Sequence, residues 1–352
     1  MLTPVADGPD EALPPWLAQP LHAALGAQRG HALLVHGAPG AGQWHFALAL
    51  ARAWLCETPA AERPDGVACG RCASCHLARA DQVHPDLCVL LPEALHLRLG
   101  WWQRDDERDR IESGARKPSE WIRIEQVRSA IAFAQQTRSR ARPKVILIQP
   151  AERLQTVAAS ALLKLLEEPQ GGLRLVLATA DASALLPTVR SRCHALVLPA
   201  PETAQATRWL EQAGLDGAAD LLAAAGGHPL AALELRAQGL DAALWRRLPA
   251  IVAAGDAQPL AKLPLPLAVE CLHKLCHDAM AVAAGAAPRY CAPGSLPVGA
   301  AQIGALSDWA RELGRIARHA QQPWNAPLLL EAQLALGKRA LAGQGDSVHS
   351  AR

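Results

Sequence analysis

What this chain has little of narrows its role before any motif is read. Across 352 residues the formal net charge is only +2. No global positive field exists, so any role with nucleic acid must rest on local patches or on a partner. Aromatics make up 4% of the residues, ten Trp against one Tyr and two Phe. No Lys/Arg cluster interleaved with aromatics forms the groove into which single strands stack, which counts against direct DNA binding. No stretch free of Pro and charge reaches the length of a membrane span, so no membrane contact is expected. Residues 1–20 carry Asp7, Asp10, Glu11 and several prolines instead of a basic start followed by an apolar run. No targeting segment is expected there, and a bacterial-type cytoplasm is the simplest compartment. The nine cysteines are odd in number, and four are closely spaced. Without a secretion signal they read as metal ligands plus buried free thiols, not as a disulfide frame.

What is present suits a large folded protein. Half the residues are hydrophobic, with Ala and Leu dominant, which favours helices and supports two or three domains. Short apolar runs at His31–His36, Asp86–Leu91, Lys144–Gln149, Arg174–Thr179 and Ala195–Leu198 read as buried parallel strands. Helical stretches at Trp44–Leu55, Ile124–Gln136 and Thr156–Glu168 alternate with them, the last stopped by Pro169-Gln170-Gly171-Gly172. This rhythm predicts a doubly wound α/β domain over residues 1–200. Residues 92–121 interrupt it with a mixed-charge run, Arg104 to Arg110, between Trp101-Trp102 and Pro118; it reads as a solvated loop. After Pro199-Ala200-Pro201 the strand signal ends. Three short helices are expected over 201–240, near Thr203–Ala213, Gly217–Ala225 and Pro229–Ala237. An all-helical block over 241–342 follows, with helices near Asp241–Ala254, Pro266–Ala284, Ala301–Ala320 and Asn325–Leu341. Its stripe Leu265, Val269, Leu272 and Leu275 reads as core. The segment 343–352 is expected to be a loose polar tail.

Three features carry chemistry. The turn Gly37-Ala38-Pro39-Gly40-Ala41-Gly42-Gln43-Trp44 follows a strand and precedes a helix, the context of a phosphate-binding loop. Such a loop ends in Lys and Ser/Thr, which neutralise phosphate charge and hold Mg²⁺. Gln43 is uncharged and Trp44 has no hydroxyl. Two readings stay open, an anion-attracting turn and a plain tight connection; hydrolysis is expected under neither. The strand Lys144–Ile148 ends in Gln149-Pro150, where a working ATPase places two carboxylates. A second set of thiols, Cys69-x-x-Cys72-x-x-Cys75, has Cys56 upstream with twelve residues between. Four thiolates form a closed tetrahedral zinc site with no open position for catalysis. An Fe–S cluster shares the ligand type, His76 is an inferior alternative ligand, and four buried thiols without metal is the plain alternative. Cys88, Cys193, Cys271, Cys276 and Cys291 lack close partners and read as core thiols. Arg192, in Ser191-Arg192-Cys193, reads by itself as an ordinary surface arginine.

Together these strings resemble the AAA+ clamp-loader family of bacterial DNA polymerase III over about residues 31–200. The resemblance is carried by His31–Gly37, the cysteine knuckle, His84-Pro85-Asp86, Ile124-Glu125-Gln126-Val127-Arg128, Ala161–Pro169 and Ser191-Arg192-Cys193. It implies an AAA+ module with a zinc insertion at 56–75, a three-helix lid over 201–240 and a helical collar over 241–342. It implies a non-motor "stator" in a five-subunit ring with gamma/tau and delta subunits, which opens the sliding clamp and loads it onto primed DNA. No ATPase or polymerase activity of its own is implied, only membership of the DNA polymerase III holoenzyme. Arg192 would be an arginine finger acting in trans on ATP held by a neighbouring gamma/tau subunit. In the lid, Pro229 stands where motors place a nucleotide-sensing arginine, and Thr179 matches the sensor position of the fourth strand. The rival readings are a gamma/tau-like ATPase motor with an atypical phosphate loop, and a zinc-bearing adaptor that binds DNA through its knuckle.

Overall fold

The computed structural model describes residues 13–27, 30–79, 83–99, 101, 109, 113, 117–169, 171–296, 298–319 and 324–342. The expected tail at 343–352 and most of the charged run at 104–110 lie outside these residues. The chain divides into two compact units, at Ala200 and Pro201.

In the first unit, helix α1 (Ala18–Ala27) precedes strand β1 (Ala32–His36), helix α2 (Gln43–Leu55) and the short helix α3 (Ala73–Leu77). Then come β2 (Leu87–Leu90), α4 (Glu93–Leu99), α5 (Ile124–Gln135), β3 (Lys144–Ile148), α6 (Thr156–Glu167), β4 (Leu173–Thr179), α7 (Pro187–Arg190) and β5 (His194–Val197). The five strands form one parallel sheet in the order β2-β3-β4-β1-β5. Strands covered on both faces need apolar side chains at every position, which is why these segments show as unbroken runs. Alternation then sorts them. Leu34, Ile146, Ile148, Leu175 and Leu177 join Val127, Ala130, Leu162 and Leu165 of α5 and α6 in one core. Helix α2 lies against β3 and β4, with Phe46 and Leu50 fully buried.

Two expectations are corrected here. The run at 195–198 is not a buried strand. β5 is an edge strand with His194, Ala195 and Val197 exposed, and only Leu198 beyond it is buried. An apolar run reads alike at a sheet centre and at an edge; strand order decides which is covered. Nor is residues 92–121 wholly a solvated loop. It begins with α4, whose Glu93, Leu95 and His96 are buried, as is Trp101.

The second unit is all helical: α8 (Thr203–Gln212), α9 (Ala218–Ala224), α10 (Pro229–Ala237), α11 (Ala242–Ala254), α12 (Leu265–Ala283), α13 (Ile303–Arg318) and α14 (Ala326–Ala342). All seven contribute to one continuous core, from Leu210 and Leu222 to Trp245, Leu272, Trp309 and Leu334. The stripe on α12 faces it, with Val269, Leu272 and Leu275 buried and Leu265 packed at its margin. Asp278, fully buried on α12, accepts backbone N–H bonds from Arg289, Tyr290 and Cys291 at 3.0, 2.7 and 2.7 Å. Burial pushes its carboxyl up, but these bonds and His277 outweigh it and leave the group below its usual range.

Helix α14 crosses its neighbours at Gly337. A Cβ there would stand 2.7 Å from both Trp309 and Val252. Gly337→Ala is therefore expected to overpack this crossing and destabilise the protein by about 1–3 kcal/mol. Urea unfolding with helical ellipticity as the probe measures it, and an unchanged midpoint would contradict this packing.

Candidate functional site

Parallel pairing brings the carboxyl ends of β1, β3 and β4 to one edge of the sheet, with His36 opposite Thr179. Ligands of open α/β sheets bind at such an edge. The glycine-rich turn leaves β1 here and becomes α2. Gly42, at φ 103°, is the helix N-cap, a left-handed conformation that favours glycine. Gly37 lies close enough to Leu198 that a Cβ would stand 3.2 Å from its carbonyl oxygen.

Gln43 closes this turn on itself. Its Nε2 donates to the carbonyls of Gly37 at 2.6 Å and Ala38 at 2.9 Å, and the residue is 4% exposed. The side chain that would extend toward phosphate as lysine is folded back into the loop as a neutral amide. Trp44 is also buried, its ring edge-on to Trp101 with centroids 5.7 Å apart. Trp16, before α1, donates its indole N–H to Ala41 O at 3.1 Å. Trp16 and Trp101 brace the turn from distant positions that sequence periodicity does not reveal.

The neighbouring strand ends differ from one another. Gln149 is buried at the end of β3, and its Oε1 has no hydrogen-bond partner among the described residues. Thr179 donates its hydroxyl to Glu152 at 2.6 Å and accepts the Asp181 N–H at 3.1 Å. Glu152, three residues past Gln149, was not singled out by sequence. Its carboxylate turns to Thr179 and the Ala180 N–H.

The cysteine cluster forms at the C-terminal end of α2, where Cys56 is the cap residue. The four Sγ atoms of Cys56, Cys69, Cys72 and Cys75 all lie within 4.8 Å of one another. Cys56 and Cys72 are 3.9 Å apart, as are Cys69 and Cys75. A tetrahedron of thiolates about 2.3 Å from zinc has edges of about 3.8 Å, so the residues present fit that ion. The backbone N–H groups of Cys69, Cys72 and Cys75 point at Cys56, Cys69 and Cys72 sulfurs at 3.4, 3.3 and 3.4 Å. The Thr58 hydroxyl and then the Arg71 N–H hold the Cys69 thiol down to about 5, the thiolate form that a metal needs. Burial pushes the Cys75 thiol up. His76 is exposed and outside the group, so the alternative ligand is set aside.

The string at 84–86 ties this cluster to the sheet. His84 meets the Ser74 hydroxyl at 3.2 Å, and Ser74 donates to Glu57, which pairs with Arg140. Asp86, fully buried, accepts the N–H groups of Ser139 and Arg140 at 2.9 and 3.0 Å. Gln126 similarly ties the start of α5 to Leu91 O at 2.8 Å.

Arg192 lies after α7, half exposed. Its Nη2 is 2.8 Å from Glu167 Oε1, and its Nη1 donates to Thr188 O at 3.0 Å. Of the remaining thiols, Cys88, Cys271, Cys276 and Cys291 are buried and Cys193 is half-buried.

A sequence-family model described as "DNA polymerase III, delta subunit" matches residues 17–202. The chain is 40% identical over 232 residues to DNA polymerase III subunit delta' of Pseudomonas aeruginosa, covering 64% of this chain and 62% of that protein. It is 34% identical over 228 residues to subunit delta' of Escherichia coli K12, covering 63% and 60%. Subunit gamma/tau of Mycobacterium bovis is 32% identical over 216 residues, 59% of this chain and 32% of that protein. The chain thus spans less than two thirds of the length of these curated relatives.

Replacing Gln43 with Ala removes both bonds that close the turn. The loss is expected to be about 1–2 kcal/mol of stability, read by denaturant unfolding. An unchanged midpoint would mean that the amide does not hold the loop.

Proposed function

This chain belongs to the DNA polymerase III delta subunit family, and from that premise we propose that it is a non-motor, delta-prime-type subunit of a clamp loader. In this reading it assembles with gamma/tau and delta subunits in the cytoplasm, at the replisome. The assembly loads the sliding clamp onto primed DNA, with residues 1–200 as the AAA+ module, 201–240 as lid and 241–342 as collar. Among the described residues no helix is long and apolar enough to cross a membrane.

The observation that carries the reading is the closed turn. Transfer of a γ-phosphoryl group relies on positioning and on positive charge around the phosphates. At the carboxyl edge of this sheet Gln43 supplies a neutral amide turned inward, and Gln149 stands where a metal-binding carboxylate is required. Arg192, by contrast, keeps a guanidinium at the surface. Its role is to reach the γ-phosphate of ATP held by the adjacent gamma/tau subunit and stabilise the charge that develops there. The likeness to a gamma/tau subunit favours one rival, a motor with an atypical loop. Steady ATP turnover by the pure isolated chain would establish that rival instead.

The four cysteines would hold one structural zinc ion, which closes the segment 56–75 and takes no part in catalysis. The spacing of the four sulfurs, which matches a tetrahedron around one ion, supports zinc over an empty thiol cluster.

Two measurements follow. Arg192→Ala is expected to leave assembly intact and lower the clamp- and DNA-stimulated ATPase of the reconstituted loader by about tenfold or more. An unchanged rate would remove the finger. Elemental analysis of the purified chain should find about one zinc per molecule, lost in Cys72→Ser together with part of the thermal stability. Full stability without metal would reject a structural ion.

A further inference from the structure

The Arg192 guanidinium is folded back on its own chain. Both terminal nitrogens are engaged in cis, Nη2 with Glu167 at 2.8 Å and Nη1 with Thr188 O at 3.0 Å and Ser191 Oγ at 3.4 Å. Phosphate recognition by arginine uses its planar fork of N–H groups. In this arrangement that edge faces Glu167 and Thr188, so it is not free to grip an external oxyanion.

The position of Glu167 argues that the pair is more than surface decoration. Glu167 is the last residue of α6, the end at which the helix dipole disfavours a carboxylate. Glutamate is a good helix former, but its charge is unfavourable at that end; besides Lys164 in the same turn, the cation 25 positions along the chain offsets it. The contact also joins two separate strings, Leu-Leu-Glu-Glu-Pro on α6 and Ser-Arg-Cys after α7.

We propose that Glu167 is the positioning residue of Arg192, parking the guanidinium in cis until a more highly charged acceptor, the triphosphate on a neighbouring subunit, draws it away. This rests on the reading of Arg192 as a trans-acting group. The two side chains are 38% and 51% exposed. A pair this exposed is weak and salt-sensitive. A triphosphate carries several negative charges and offers bidentate acceptors, so it competes for the fork effectively. The parked state therefore lowers the population of the reaching state in an incompletely engaged ring without obstructing it in an engaged one.

The test uses the reconstituted loader with ATP, in the absence and presence of clamp and primed DNA. Glu167→Gln keeps the shape and removes the charge. It should raise the unstimulated ATPase about two- to fivefold, the population shift that loss of an exposed pair allows. The stimulated-to-unstimulated ratio should fall by a similar factor. The double variant Glu167→Gln/Arg192→Ala should match Arg192→Ala alone, since Glu167 acts only through Arg192. In the isolated chain, nitrogen-15 NMR of the arginine side chains should show restricted Arg192 terminal nitrogens that rotate freely in Glu167→Gln. An unstimulated rate that is unchanged or lower in Glu167→Gln overturns the parking role. If Arg192→Ala itself leaves ATPase untouched, the trans-acting reading falls first. A drop in Arg192→Ala without a rise in Glu167→Gln removes parking alone.

Discussion

The amide of Gln43 is the contact on which the functional reading turns. A phosphate loop works because a flexible cation stands free of the backbone that cradles the anion. Here the corresponding side chain is neutral and bonds to two carbonyls of its own loop. The buried Trp44 and Trp101 pack beside it, and Trp16 fastens the turn from the other side. Thr179 and Glu152 satisfy one another at the adjacent strand end. Gln43, Thr179 and Glu152 at the carboxyl edge of the sheet are thus bonded within the chain, whereas Gln149 Oε1 beside them has no partner among the described residues.

The four-cysteine cluster organises a second part of the same unit. Four sulfurs within 4.8 Å of one another gather the segment after α2. A chain of contacts runs from Ser74 through Glu57 to Arg140, and Asp86, just before β2, grips the same turn. His84 and Asp86 have structural work in this reading: each satisfies buried polar groups that would otherwise be left unpaired.

Arg192 sits at the opposite pole of this logic. It is a surface cation, and an exposed, weak pair holds it where exchange is easy. The chain's own loop thus offers a neutral amide at Gln43, while Arg192 keeps its guanidinium at the surface.

The alternation of strands and helices, the missing cation at 43, the missing carboxylates at 149–150 and the four-cysteine spacing were all legible in the amino-acid order. Each depends on residue type and local spacing alone. The all-helical second unit and its α12 stripe were legible for the same reason. Tertiary structure alone decided the rest. Leucine and valine at 196–197 read as core, yet the place of β5 at the end of the strand order exposes Val197. Glu93, His96 and Trp101 read as part of a solvated excursion, yet packing buries them. Glu152 and Glu167 gained their roles from partners 27 and 25 positions away. Local pattern specifies which elements form. Which of their side chains meet depends on how the strands are ordered and the helices laid across them, and that is a property of the folded chain.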